Sequence, residues 1–71
     1  MSSGGVIVRN PEILGGTPVF RGTRVPFQSL IDYLEHGRDL AEFLEDFPSV
    51  TRADAVAALE QARTTLIASL K

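Results

Sequence analysis

A mainly α domain of three helices behind a short N-terminal β arm is the fold class this sequence predicts, and three observations carry it. Apolar residues recur at helical spacing from Phe27 onward, prolines and glycines punctuate that pattern, and the stretch before Pro26 carries short β-branched runs instead. At 71 residues the chain has room for one core and not for two.

The arm comes first. Val6-Ile7-Val8 is a β-branched run ended by Asn10-Pro11, and Thr17 to Phe20 and Thr23 to Val25 flank Arg21-Gly22, which reads as a tight turn. Pro18 and Pro26 each lack a backbone donor, so these strands are expected at an edge or against a second chain, and Gly15-Gly16 lets the backbone bend between them.

The helices come next. Phe27, Leu30, Ile31 and Leu34 form the first stripe, with Pro26 suited to the opening turn and Gly37 to a left-handed stop. Asp39 and Glu42 stand at capping-box spacing before Leu40, Phe43, Leu44 and Phe47, and Pro48 blocks continuation of this second, acidic helix. Thr51 is an N-cap with Asp54 three residues on. It opens a long third helix whose stripe is read as Ala53, Val56, Ala57, Leu59, Leu66, Ile67 and Leu70. Residues 1–5 are expected to be disordered and residues 6–71 to form the single domain.

Composition excludes several classes of function. The sequence has no cysteine, which removes thiol catalysis and thiolate metal sites. No signal-like or membrane-spanning run is present, so a cytoplasmic chain is expected. The formal net charge of -2 conceals an asymmetry: Arg9, Arg21 and Arg24 face only Glu12 in the first third, whereas Asp32 to Glu60 holds eight acids against Arg38 and Arg52. A chain this short, without disulfides, draws only about 3–5 kcal/mol from its core, so self-association or a partner is expected.

Candidate sites are few. Gly16 to Thr23 has the outline of a phosphate loop, but the glycine spacing is one residue too long, the lysine is missing and the segment leads into a strand; nucleotide binding is rejected. Glu42, Glu45 and Asp46 lie at helical neighbour spacings and read as a solvated acidic face in preference to a cation site. His36, the one histidine, precedes Gly37 and reads as a helix-end residue. With no nucleophile and base pair and no metal-ligand set, neither an enzyme nor a cofactor is expected. Arg52 is the basic group near the start of helix three, where a recognition helix meets base edges; DNA binding would need two copies, or the arm's arginines on phosphates.

The string from Pro11 through Gly15-Gly-Thr-Pro-Val-Phe-Arg-Gly-Thr-Arg24 to Pro26, with Leu30, Leu34-Glu-His-Gly37 and Asp46-Phe-Pro-Ser-Val-Thr51, resembles the bacterial family catalogued as domain of unknown function 433. The likeness runs from Val6 to about Arg63. It implies a three-helix, homeodomain-like (winged) helix-turn-helix with an N-terminal β segment, usually dimeric and in many cases encoded beside a PIN-like nuclease toxin, its members being read as VapB-like antitoxins.

On that resemblance the expected function is that of an antitoxin of a type II toxin-antitoxin system, neutralising a PIN-like ribonuclease by direct binding and repressing its own operon through promoter DNA. Arg21 and Arg24 are the candidates for entering the nuclease's carboxylate cluster, and Glu42, Glu45 and Asp46 for covering a basic rim. Arg9, Thr51 and Arg52 are the candidate DNA contacts. The alternative is a dimerisation or adaptor module that contacts protein alone.

Overall fold

A computed structural model describes residues 5–70. The expected start of disorder at residues 1–5 therefore lies, for residues 1–4, outside the described residues; Gly5 is described, and its carbonyl accepts a hydrogen bond from Arg21 Nη1 at 3.3 Å. Two short strands, β1 (Ile7–Val8) and β2 (Val19–Phe20), precede three helices: α1 (Phe27–Glu35), α2 (Leu40–Asp46) and α3 (Arg52–Ser69). The fold is mainly helical, with the arm as a two-stranded antiparallel sheet, as the sequence predicts.

The helix boundaries sit where the punctuation places them. Pro26 is the N-cap of α1, and Gly37, at φ +78°, supplies the left-handed conformation that ends it. Asp39 accepts from Glu42 N at 2.9 Å while Glu42 Oε1 accepts from Asp39 N at 3.4 Å, the reciprocal capping box the spacing predicts. Thr51 Oγ1 accepts from Asp54 N at 3.1 Å and starts α3.

The arm pairs differently from the local hairpin expected over residues 17–25. Its ladder joins segments distant in sequence, Ile7 to Phe20 and Val8 to Val19, and the return past Gly22 makes only one isolated bridge, Val19 to Pro26. The cause is local. Thr23 Oγ1 donates to the Phe20 carbonyl at 2.9 Å and accepts from Val25 N at 3.0 Å, so the side chain supplies bonds a strand would take from its neighbour, and Pro26 has no donor with which to extend the ladder.

Phe20 is the hinge of the core. It is fully buried with Val19, Leu30 and Phe43, and its ring lies 6.1 Å from Phe27 and 6.0 Å from Phe43. The ladder of rings continues from Phe43 to Tyr33 at 5.4 Å and to Phe47 at 4.9 Å, joining β2, α1, α2 and the α2–α3 turn. Against this ladder α3 presents Ala55 and Ala58, both buried, with Leu59 of the stripe read from sequence half-buried beside them, whereas Val56, Leu66, Ile67 and Leu70 of that stripe are exposed. Helix three thus adds mostly small side chains to a core dominated by aromatic rings.

A polar lock closes α1 on α2. The Tyr33 hydroxyl donates to Asp46 Oδ2 at 2.5 Å, and the Arg38 guanidinium sits 4.6 Å above the Tyr33 ring while reaching Glu42 at 3.5 Å and Asp46 at 3.9 Å. The bond to the Asp46 carboxylate raises the Tyr33 phenol above its ordinary value, since ionising the phenol would set two anions face to face.

This packing has two measurable outcomes. Phe43→Ala removes the ring shared by most of the ladder, a loss of about 3–5 kcal/mol, which equals the whole stability such a core supplies; circular dichroism should show the variant largely unfolded at room temperature. Tyr33 is the only tyrosine and there is no tryptophan, so an ultraviolet pH titration reads it alone. In Asp46→Asn its ionisation should move to lower pH than in the natural chain.

Candidate functional site

No described helix is long and apolar enough to cross a membrane, and no group of three His, Cys, Asp or Glu side chains among the described residues is arranged to hold a metal ion. The exposed features with chemistry to offer are the tip of the arm and the outer face of α3.

The arm tip is built by small, specific bonds. Arg9 Nε donates to the Gly16 carbonyl at 2.8 Å, and a 3-10 turn at Leu14–Gly16 reverses the chain behind it. Gly22, at φ +77°, occupies the left-handed region at the turn before Thr23, whose hydroxyl bonds to Phe20 and Val25 hold the turn in shape. Arg24 lies inside that bonded turn, is exposed, and makes no hydrogen bond or ion pair among the described residues. It borders an open groove of about 510 Å³ lined by Val8, Asn10, Ile13, Gly22 and Thr23. A guanidinium that no internal partner neutralises, on a turn fixed by its neighbours and beside an apolar trough, is poised to pair with an anionic group on another molecule.

The other nominated residues divide by what already holds them. Arg21 is exposed but tied through Nη1 to the Gly5 carbonyl, so it braces the start of the arm. Arg9 is committed to the Gly16 carbonyl and the Thr51 hydroxyl to the α3 cap, leaving Arg52 as the nominated DNA contact with no bond among the described residues. Of the three acids, Glu42 and Asp46 belong to the lock with Arg38 and Tyr33, while Glu45 carries no bond among the described residues. The acidic helix is thus partly self-neutralised, and Arg38, which sequence reasoning did not nominate, does the neutralising. Its spacing of four residues from Glu42 was the available signal. The groove residues Asn10 and Ile13 also went unnominated, because in sequence they read only as the break after the first β run.

Helix α3, the second helix of the α2–turn–α3 pair, exposes Arg52, Ala53, Val56, Ala57 and Glu60 along its first half. Alanine and valine offer no hydrogen bonds to base edges and Glu60 repels phosphate, so on this half of the helix base reading would fall to Arg52 and to Gln61, which is exposed just beyond Glu60.

Comparison with known proteins places this geometry in context. Residues 7–62 match the family described as "Protein of unknown function (DUF433)". An uncharacterized protein of Sinorhizobium fredii, y4eO, is 42% identical over 45 residues, which is 63% of this chain but 20% of that protein. The crystal structure of a DUF433 member protein from Anabaena variabilis superposes with a TM-score of 0.73 at 30% identity, covering 84% of this chain and 59% of that one. The chain thus spans about a fifth of the curated relative and under two thirds of the solved one. The arm, its Gly-Thr-Pro-Val-Phe-Arg-Gly-Thr-Arg turn and the helices from Phe27 to Ala62 all fall inside the matched region, and the chain belongs to the DUF433 family.

Proposed function

We propose that this chain is a binding protein of the antitoxin kind, which neutralises a PIN-like ribonuclease by inserting its arm into the enzyme's carboxylate cluster. The observation that carries this reading is Arg24: an exposed guanidinium with no bond among the described residues, held on a rigid turn beside an apolar groove. Nucleases of that class hold a divalent metal between acidic side chains. A guanidinium pairs with such carboxylates through parallel hydrogen bonds and competes with the metal for them. The fixed turn reduces the entropy lost on docking, and the groove adds apolar contact around the charge.

A second reading, a module that contacts protein and not DNA, is favoured by the face of α3. Among the nominated DNA contacts the Thr51 hydroxyl is used as the α3 cap and Arg9 spends its Nε on the Gly16 carbonyl, which leaves its outer guanidinium nitrogens for a phosphate and Arg52 for a base edge. Repression of the chain's own operon is the part of the antitoxin reading that this face supports least.

Coexpression with the product of the adjacent gene, which this reading expects to be a PIN-like nuclease, tests the first reading. A stable complex that blocks RNA cleavage is expected, and Arg24→Ala should weaken it by roughly 30-fold or more, the effect of truncating one partner of a buried charge pair. Undiminished inhibition by a chain with both Arg21→Ala and Arg24→Ala would dispose of the mechanism. A band shift with the promoter at physiological salt separates the two readings: a sequence-specific shift supports repression, whereas binding that fades with salt is the non-specific kind.

A further inference from the structure

Along its outer face, α3 carries a pattern that neither the core nor the arm uses. Ala53, Val56, Glu60, Arg63, Ile67 and Leu70 are all exposed, and their spacing alternates three and four residues, the a and d repeat of a coiled-coil seam. Val56 is 40% exposed, Ile67 50% and Leu70 76%. Neither Glu60 nor Arg63 makes a hydrogen bond or ion pair among the described residues. The family match ends at residue 62, so Arg63, Ile67 and Leu70 of the seam lie beyond it.

We infer that this seam is the self-association surface, on which α3 of a second copy packs antiparallel about a two-fold axis between Gln61 and Ala62. Reversing one helix makes each a position face a d position, and on that axis the seam is its own complement. Ala53 faces the partner's Leu70, small against large; Val56 faces the partner's Ile67, two β-branched side chains; and Glu60 faces the partner's Arg63, opposite charges, with each pair occurring twice by symmetry. Leu59 and Leu66 flank one side of the seam and extend its apolar contact, while Ala57 and Thr64 on the other side are small enough to let the helices close. A parallel pairing loses this match, because Glu60 then meets Glu60 and Arg63 meets Arg63. The charge pair at the centre is what selects a second copy in the antiparallel sense over a generic apolar partner. The surface is separate from the arm, so its failure would leave the nuclease reading standing.

The full chain should sediment as a dimer in analytical ultracentrifugation. Glu60→Arg and Arg63→Glu each place like charges in both central layers and should weaken the dimer roughly tenfold or more, and combining the two should restore it, since the swapped charges again face each other. Each position is exposed, so helix content by circular dichroism should hold across the set. Cysteine cross-linking gives a readout independent of the charge variants, because the natural chain has no cysteine. Val56→Cys with Ile67→Cys should be joined to its partner on oxidation. Ile67→Cys alone should not, because the two copies of that position stand about 16 Å apart along the pair at ~1.5 Å per residue. A monomer, a dimer indifferent to the charge changes, or efficient cross-linking through Ile67→Cys alone would overturn the inference. So would a monomer whose α3 face is covered only when the nuclease or promoter DNA is added.

Discussion

The burial of Phe20 is the constraint on which the rest of the molecule depends. Its ring comes from the arm, yet it sits fully buried between Phe27 at the start of α1 and Phe43 of α2. A two-stranded ribbon is marginal by itself in water, and three short helices around so few buried residues are little better. Each part supplies what the other lacks: the arm contributes Val6, Val19 and Phe20 to the interior, and the helices close over them. The rigidity of the turn that presents Arg24 is inherited from this anchor, because Phe20 also holds the carbonyl to which Thr23 is bolted.

The same aromatic layer dictates how α3 is used. Helix α3 meets that layer through Ala55, Ala58 and the half-buried Leu59, while Val56, Leu66, Ile67 and Leu70 are turned outward. What would be a core stripe in a larger domain becomes a surface. The chain thereby carries two distinct exposed features, a cationic turn at the arm and the proposed self-complementary seam on the last helix, while two of its surface acids, Glu42 and Asp46, are paired with the chain's own polar groups. The composition is acidic, but the Arg38, Tyr33, Glu42 and Asp46 network shows that part of this charge is structural.

The helical half of the fold was legible because its signals are local. Pro26, Gly37, the Asp39 and Glu42 pair, Pro48 and Thr51 act on the backbone within a few residues of themselves, and the boundaries of α1, α2 and α3 obey them. The β pairing was not legible, since β1 finds β2 across a long loop and no residue between them announces the register. Nor was the burial of α3, where periodicity gives a helix but cannot say whether the valines and leucines or the alanines face inward. The candidate site was half legible. Arg24 was nominated for its charge and is exposed, whereas Arg9 and Thr51 carry the right functional groups and spend them on a carbonyl and a helix cap. Side-chain type is written in the sequence; whether a side chain is already engaged depends on the fold.

Because the arm reaches the interior through Phe20 and Val19, opening it is not a local event. A strand that peels away takes the Phe20 ring out of the ladder and uncovers Phe43, so the chain should come apart as a unit instead of fraying at one end. A molecule bound at the arm would therefore hold the whole chain closed, helices included, and not the arm alone.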